Sequence, residues 1–359
     1  MQELTDVVTV GAGTMPNFRR CQIARRTVIG VIALFIASFT LVGGAFGGSS
    51  AALNATLSRH SFNLSAGSTA YSVDYWSNAE IGVVDPAVRR VVVIVHGDSR
   101  NADDYGRYTA SAATAAGVMS STMVVAPQFV ADVDSPRVDQ LYWTADSWKT
   151  GSESEAAGRS WTMPSFRVMD AVLAALRTDY PTAQIVLAGH SAGGQFVQRY
   201  VASNGVHVAD RYVPMNPGSY VYLDARRWAK GTMRALTARE IKACSGYDSY
   251  KYGLDGRPTS TFSSSRATVA STYLASPVTY LLGESDTLRD SNLDTGCSAD
   301  WEGANRFERG TRFFLALRAM AGAALGQEMV TVPGVAHEGS RMIKSTQAVP
   351  LLFGATTPG

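Results

Sequence analysis

Only three cysteines and five histidines occur among the 359 residues. Neither type forms a cluster at metal-ligand spacing, so no metal or organic cofactor is expected. Charge of one sign is also missing. Lysine and arginine number 32 against 30 acidic residues, and four of the basic ones (Arg19, Arg20, Arg25, Arg26) stand in the first 50 residues beside only Glu3 and Asp6. The rest of the chain is formally neutral and has no basic run, which argues against nucleic acid as a partner. No internal repeat is visible. With 46% hydrophobic and 17% charged residues, there is enough apolar material for a sizeable core and no sign of disorder. The length allows one large domain with additions, or two small ones.

After Arg26 no charged residue appears until Arg59. Within that gap, Val28 to Val42 is a nearly continuous apolar run, followed by small residues. A basic flank, an apolar run and a small-residue stretch are the layout of an export signal. The run alone is short of the ~20 residues of a membrane span, although its Gly/Ala continuation could complete a retained anchor. Residues 1–50 are therefore expected to be a signal peptide or membrane anchor, with 51–359 as the folded body beyond the membrane. That body is secreted, periplasmic or anchored on the non-cytoplasmic side, and any membrane contact is through the N-terminal segment alone. Cys244 and Cys297 are the two cysteines of the body, an even pair suited to one disulfide in an oxidising compartment.

From about residue 70 short apolar runs alternate with helical stretches, the pattern of a parallel sheet covered by helices. Strands are expected at 90–95, 121–127, 183–188, 211–215, 278–282 and 328–332, with helices at 165–180, 195–201 and 307–324. Two stretches break the rhythm. Residues 131–163 hold Tyr142, Trp143, Trp148 and Trp161, and residues 224–272 hold Tyr247, Tyr250 and Tyr252. Long irregular segments in a compact domain are usually covers or binding loops. Both are expected to form a loop-rich cap, although such aromatics can equally pack a loop onto the body.

Gly189-His190-Ser191-Ala192-Gly193 fits Gly-x-Ser-x-Gly. The motif is short, and its context gives it weight: a strand runs in and a helix runs out. A serine on so tight a turn exposes its hydroxyl, and flanking glycines relieve the crowding. That hydroxyl needs a base to remove its proton. Of the five histidines, His60 lies near the N-terminus, His96 and His190 belong to turns, and His207 precedes a strand. His337 follows the last strand, where a loop can bring the ring back over the sheet edge. A carboxylate must orient and stabilise the imidazolium. Asp286, on the turn after strand 278–282, is the candidate, with Glu284, Asp290 and Asp294 as competitors. The oxyanion needs N–H donors, expected from the amides of Ala192 and Asp98. An ionised Asp98 beside a developing oxyanion would repel it, so its carboxylate is expected to turn away and bond to the Ser99, Arg100 or Asn101 amides.

With HGD at 96–98, GHSAGG at 189–194, GESD at 283–286 and GVAH at 334–337, the chain resembles the α/β-hydrolase superfamily over most of residues 70–345. The four motifs stand in the family's order, each after an expected strand. Polyhydroxyalkanoate depolymerase-like and feruloyl-type esterases, with their short His-Gly turn, are similar in these segments. The resemblance implies an α/β fold with a mostly parallel sheet and helices on both faces. It also implies an exported serine hydrolase that cleaves a carboxylic ester, small or polymeric, through Ser191, His337 and Asp286. A peptidase or other acyl hydrolase of the same fold, or a non-catalytic binding protein on this scaffold, are the alternatives. The departures are Asp98 in the oxyanion turn and a long gap between Asp286 and His337 that contains Cys297.

Overall fold

The computed structural model describes residues 53–203 and 208–354. The expected signal or anchor at 1–50 and His207 lie outside them. In chain order the elements open with a hairpin, β1 (Ser58–Ala66) and β2 (Thr69–Ser77), followed by β3 (Arg90–Val95), α1 (Ala102–Ala115), β4 (Thr122–Pro127) and α2 (Ser165–Asp179). Next come β5 (Gln184–His190), α3 (Ala192–Ala202), β6 (Arg211–Met215), a small ribbon of β7 (Arg227–Ala229) and β8 (Thr232–Arg234), α4 (Ala238–Ala243) and α5 (Arg266–Ala275). The chain continues with β9 (Thr279–Gly283), α6 (Cys297–Asp300), α7 (Arg306–Ala321), β10 (Glu328–Val332), α8 (Gly339–Ile343) and α9 (Ala348–Phe353).

Eight strands form one sheet in the order β1-β2-β4-β3-β5-β6-β9-β10. From β4 to β10 every pairing is parallel; β1 and β2 add an antiparallel edge. Parallel strands buried on both faces read as unbroken apolar runs. In β3, Val91, Val93 and Val95 enter the core cluster that also holds α2, α3 and α7 residues, while Val92 and Ile94 enter the cluster with α1, α8 and α9. This period-two split explains why RVVVIV shows no polar alternation. The pairing is continuous over six residues between β3 and β5, from Arg90↔Gln184 to Val95↔Gly189. It thins between β6 and β9, where Met215↔Leu281 is joined only by the isolated bridge Tyr212↔Val278.

The hairpin was not among the expected strands. It turns at Gly67, whose φ is +61°, a value that suits a two-residue hairpin turn. Most β1 side chains are exposed or half-exposed, and Asp74 on β2 is buried by Arg137, Gln140 and Ser61. A strand with so many polar side chains gives a weak apolar signal. Among the described residues, no helix is long and apolar enough to cross a membrane.

Candidate active site

The turn between β5 and α3 sets the site. Ser191 has φ 59° and ψ −118°, a conformation that costs a non-glycine residue on the order of 1–3 kcal/mol. The surroundings hold it there. A Cβ on Gly189 would lie 2.4 Å from the Gly193 carbonyl oxygen, and one on Gly193 would lie 2.2 Å from that of Val95. Only hydrogen at those positions lets α3 start this close to the sheet. The Ser191 amide donates to Met215 O at 2.9 Å, tying the turn to the end of β6.

Asp286 and His337 arrive on the loops after β9 and β10, which are stitched together. Glu284 N donates to Val332 O and Ser285 N to Val335 O. A Cβ on Gly283 would stand 2.4 Å from Val335 O, so only glycine admits the histidine loop. Asn216, in a left-handed conformation after β6, donates to Ala336 O and accepts from Gly283 N at 2.7 Å. Sequence reasoning missed this residue. Its only signal is a breaker run, Asn216-Pro217-Gly218, directly after a strand.

His337 Nδ1 lies 2.6 Å from Asp286 Oδ2, and His337 Nε2 lies 2.8 Å from Ser191 Oγ. With the carboxylate accepting from Nδ1–H, Nε2 is left free to accept from the serine hydroxyl. Asp286 is 1% exposed, and buried Arg306 stands 3.7 Å from its other oxygen. The competing carboxylates are engaged elsewhere: Glu284 with Thr331, Asp290 with Arg306, and Asp294 with the Tyr252 hydroxyl and the Gly296 amide.

The other two histidines near the site are buried. His96 Nε2 accepts from Phe129 N at 3.0 Å, so Nδ1 carries the proton and donates to Gly97 O at 2.8 Å. Burial pushes the His96 pKa down to about 4. The carbonyl of Gly97 and the amide of Asp98 belong to one planar peptide and point opposite ways. Holding the carbonyl therefore fixes the direction of the Asp98 N–H. The Tyr105 hydroxyl packs against Gly97 and lies 3.0 Å from His190 Nδ1, linking this turn to the serine turn. Burial holds His190 well below its ordinary pKa, and its ring centroid is 4.8 Å from that of His337. Among the described residues, no acceptor engages the amides of Asp98 or Ala192.

The Asp98 side chain corrects an expectation. It does not bond to the Ser99, Arg100 or Asn101 amides. Its Oδ1 lies 2.8 Å from Lys149 Nζ, which also holds Asp146 at 2.7 Å. Lys149 is buried and comes from the first irregular segment. The aromatics of that segment pack inward: Trp143 and Trp148 are fully buried against Phe129. In the second segment Tyr250 packs on Phe262 and donates to Thr150 O. These stretches wall the site with polar side chains and present no aromatic cover. Cys244 and Cys297 are joined in a disulfide, fastening the second segment to the chain beyond Asp286.

Two cavities meet at Ser191 and Asp98. One, of about 390 Å³, is lined by Arg100, Tyr105, His190 and His337. The other, of about 320 Å³, is lined by Lys149, Gln195, Gly218, Ser219, Lys251 and Asp294. A larger hollow of about 520 Å³ beside Arg341 and Lys344 contains none of Ser191, Asp286 and His337. Among the described residues, no group of three or more His, Cys, Asp or Glu side chains could hold a metal ion.

No protein-family model matches the chain, and no curated protein matches it. Solved structures do. Poly(aspartic acid) hydrolase-1 from Sphingomonas sp. KT-1 is similar with a TM-score of 0.60 at 23% identity, over 82% of this chain and 98% of that one. LpqC, a poly(3-hydroxybutyrate) depolymerase from Bordetella parapertussis, is similar with a TM-score of 0.57 at 27% identity, over 80% of this chain and 86% of that one.

Proposed function

We propose that this member of the α/β-hydrolase superfamily is an exported serine esterase that cleaves a carboxylic ester through an acyl-enzyme on Ser191. The observation that carries the reading is the unbroken hydrogen-bonded chain from Ser191 Oγ through His337 to buried Asp286. The depolymerase similarity supports an ester as the bond broken, and the disulfide supports an oxidising compartment.

In this mechanism Ser191 Oγ attacks the ester carbonyl while its proton passes to His337 Nε2. Asp286 stabilises the imidazolium. The tetrahedral oxyanion is received by the amides of Ala192 and Asp98, the second aimed by the His96 bond to Gly97. Lys149 offsets the Asp98 charge that would otherwise oppose this step. Collapse expels the alcohol, protonated by His337. Water, deprotonated by the same ring, then releases the acid and restores Ser191.

The test uses the full chain, a fluorophosphonate probe and Ser191→Ala as control. Labelling mapped to Ser191 and lost in the variant supports an activated nucleophile. Absence of labelling in folded protein would overturn the esterase reading in favour of a binding protein on this scaffold.

A further inference from the structure

The 320 Å³ cavity beside Ser191 is poor in apolar wall. Among the described residues, Leu293 is the only large aliphatic or aromatic side chain lining it; Lys149, Gln195, Ser219, Lys251 and Asp294 are all polar. A long alkyl chain would give up little water contact there, and would desolvate charged groups without replacing their partners. A substrate group that enters this cavity must carry polar atoms of its own.

The charges divide by how fully they are paired. Lys149 is committed to Asp98 and Asp146, whose side chains are both exposed at the rim. Lys251 lies 3.7 Å from Asp294, beyond hydrogen-bonding distance, and that carboxylate is already engaged by the Tyr252 hydroxyl and the Gly296 amide. Arg199 stands fully buried behind the wall, and among the described residues no carboxylate pairs with it. It donates instead to Gln195 Oε1 at 2.9 Å and Ser219 Oγ at 2.8 Å, and Ser219 donates to the same Gln195 oxygen. With Oε1 so occupied, the Gln195 amide nitrogen is turned toward Gly218 on the cavity wall, one helical turn from Ser191. Three carboxylates (Asp98, Asp146 and Asp294) and two lysines line the cavity, with Arg199 behind it; because Lys149 answers Asp98 and Asp146, spare donors remain on Lys251 and Gln195. Burial, then the Arg199 charge, pushes the Lys251 pKa down, so an anion seated here would relieve that strain on the lysine.

We propose that this cavity receives a carboxylate of the substrate, bound by the Lys251 ammonium and the Gln195 amide, so that the enzyme selects esters whose acid part bears a second, ionised carboxyl group. The proposal rests on the esterase reading above. Charge-assisted hydrogen bonds to a carboxylate are short and about twice as strong as neutral ones, and a partly buried lysine is weakly screened.

The experiment compares monomethyl succinate with methyl butyrate, two methyl esters of four-carbon acids that differ by one carboxylate. It follows hydrolysis by pH-stat, and in parallel the protection of Ser191 from fluorophosphonate by each ester. The wild-type chain is expected to favour monomethyl succinate in kcat/KM by at least tenfold and to be protected by it at lower concentration. In Lys251→Met the ratio between the two esters should fall about tenfold, and Lys251→Arg should restore part of it. Labelling at Ser191 with equal handling of the two esters, or with a ratio that Lys251→Met leaves unchanged, overturns the proposal while leaving the esterase reading intact. No labelling in folded protein overturns both.

Discussion

Asp98 places a carboxylate one bond path away from an amide proposed to receive negative charge, and Lys149 is what makes that tolerable. The lysine is buried with two carboxylates on its ammonium, so removing it leaves Asp98 uncompensated beside the reacting oxygen. Lys149→Met is expected to lower kcat by about tenfold to a hundredfold, the scale on which oxyanion contacts act. Asp98→Asn in the same chain should recover most of that loss, because the backbone amide is retained while the charge is gone. Steady-state kinetics on the two single variants and the double variant give the coupling directly. Additive losses would show that Lys149 acts through packing alone.

Between the elements, the disulfide fastens the loop before α5 to α6, in the stretch that separates Asp286 from α7. Its cysteines are 53 residues apart, and closing such a loop in the unfolded chain is worth about 4 kcal/mol in the chain-entropy account. Around it, Asp300 of α6 pairs with Arg289 and Arg309, and Arg309 also donates to the carbonyls of Gly218 and Asp294. Loosening α6 therefore loosens both the acid loop and the cavity wall. Cys244→Ser/Cys297→Ser is expected to lower the thermal midpoint and to reduce activity. An unchanged rate in reductant, with both thiols shown free, would sink the link to activity. At this scale much of the fold was legible in the sequence. The runs at 90–95, 211–215 and 328–332 match β3, β6 and β10 residue for residue; β3 and β6 are buried on both faces and so nearly apolar throughout, while the half-exposed edge strand β10 keeps enough β-branched residues to be read. The serine turn, Asp286 and His337 were legible because each follows a strand that the sequence pattern marks. The β1–β2 hairpin was not, since its outer strand is largely polar. Lys149, Lys251 and Asn216 were not, because a lysine in a loop or an asparagine after a strand acquires meaning only from partners distant in sequence. The aromatics of the irregular segments pointed to a cover, but tertiary packing buried Trp143, Trp148 and Tyr247.

Taken whole, the molecule carries opposing titrations in its interior. Burial raises Glu302 to about 8 despite nearby Arg309; its Oε2 accepts from Tyr220 N. A carboxyl raised above its unfolded value contributes stability that is complete below about pH 4.5 and lost as pH rises through about 8. His96 and His190 are depressed by burial. Their contribution is complete above about pH 6.5 and lost as pH falls, through about 4 for His96. Between pH 6.5 and 8 Glu302 alone of these sets the trend, so stability should decline there by at most about 1.4 kcal/mol per pH unit. Glu302→Gln should flatten the decline in denaturant titrations across that window; an unaltered slope would assign it to other groups. The thin pairing between β6 and β9 has a different consequence. It runs between the strand after which Ser191 is anchored and the two strands that deliver Asp286 and His337. The sheet is expected to open first at this fault, where the Asn216 side chain supplies much of the bridging, and the nucleophile lies on one side of the fault while its acid and base lie on the other. Local opening along such a fault costs less than global unfolding. Mild denaturant should silence the enzyme while the amide hydrogens of β3 and β5 are still protected from exchange.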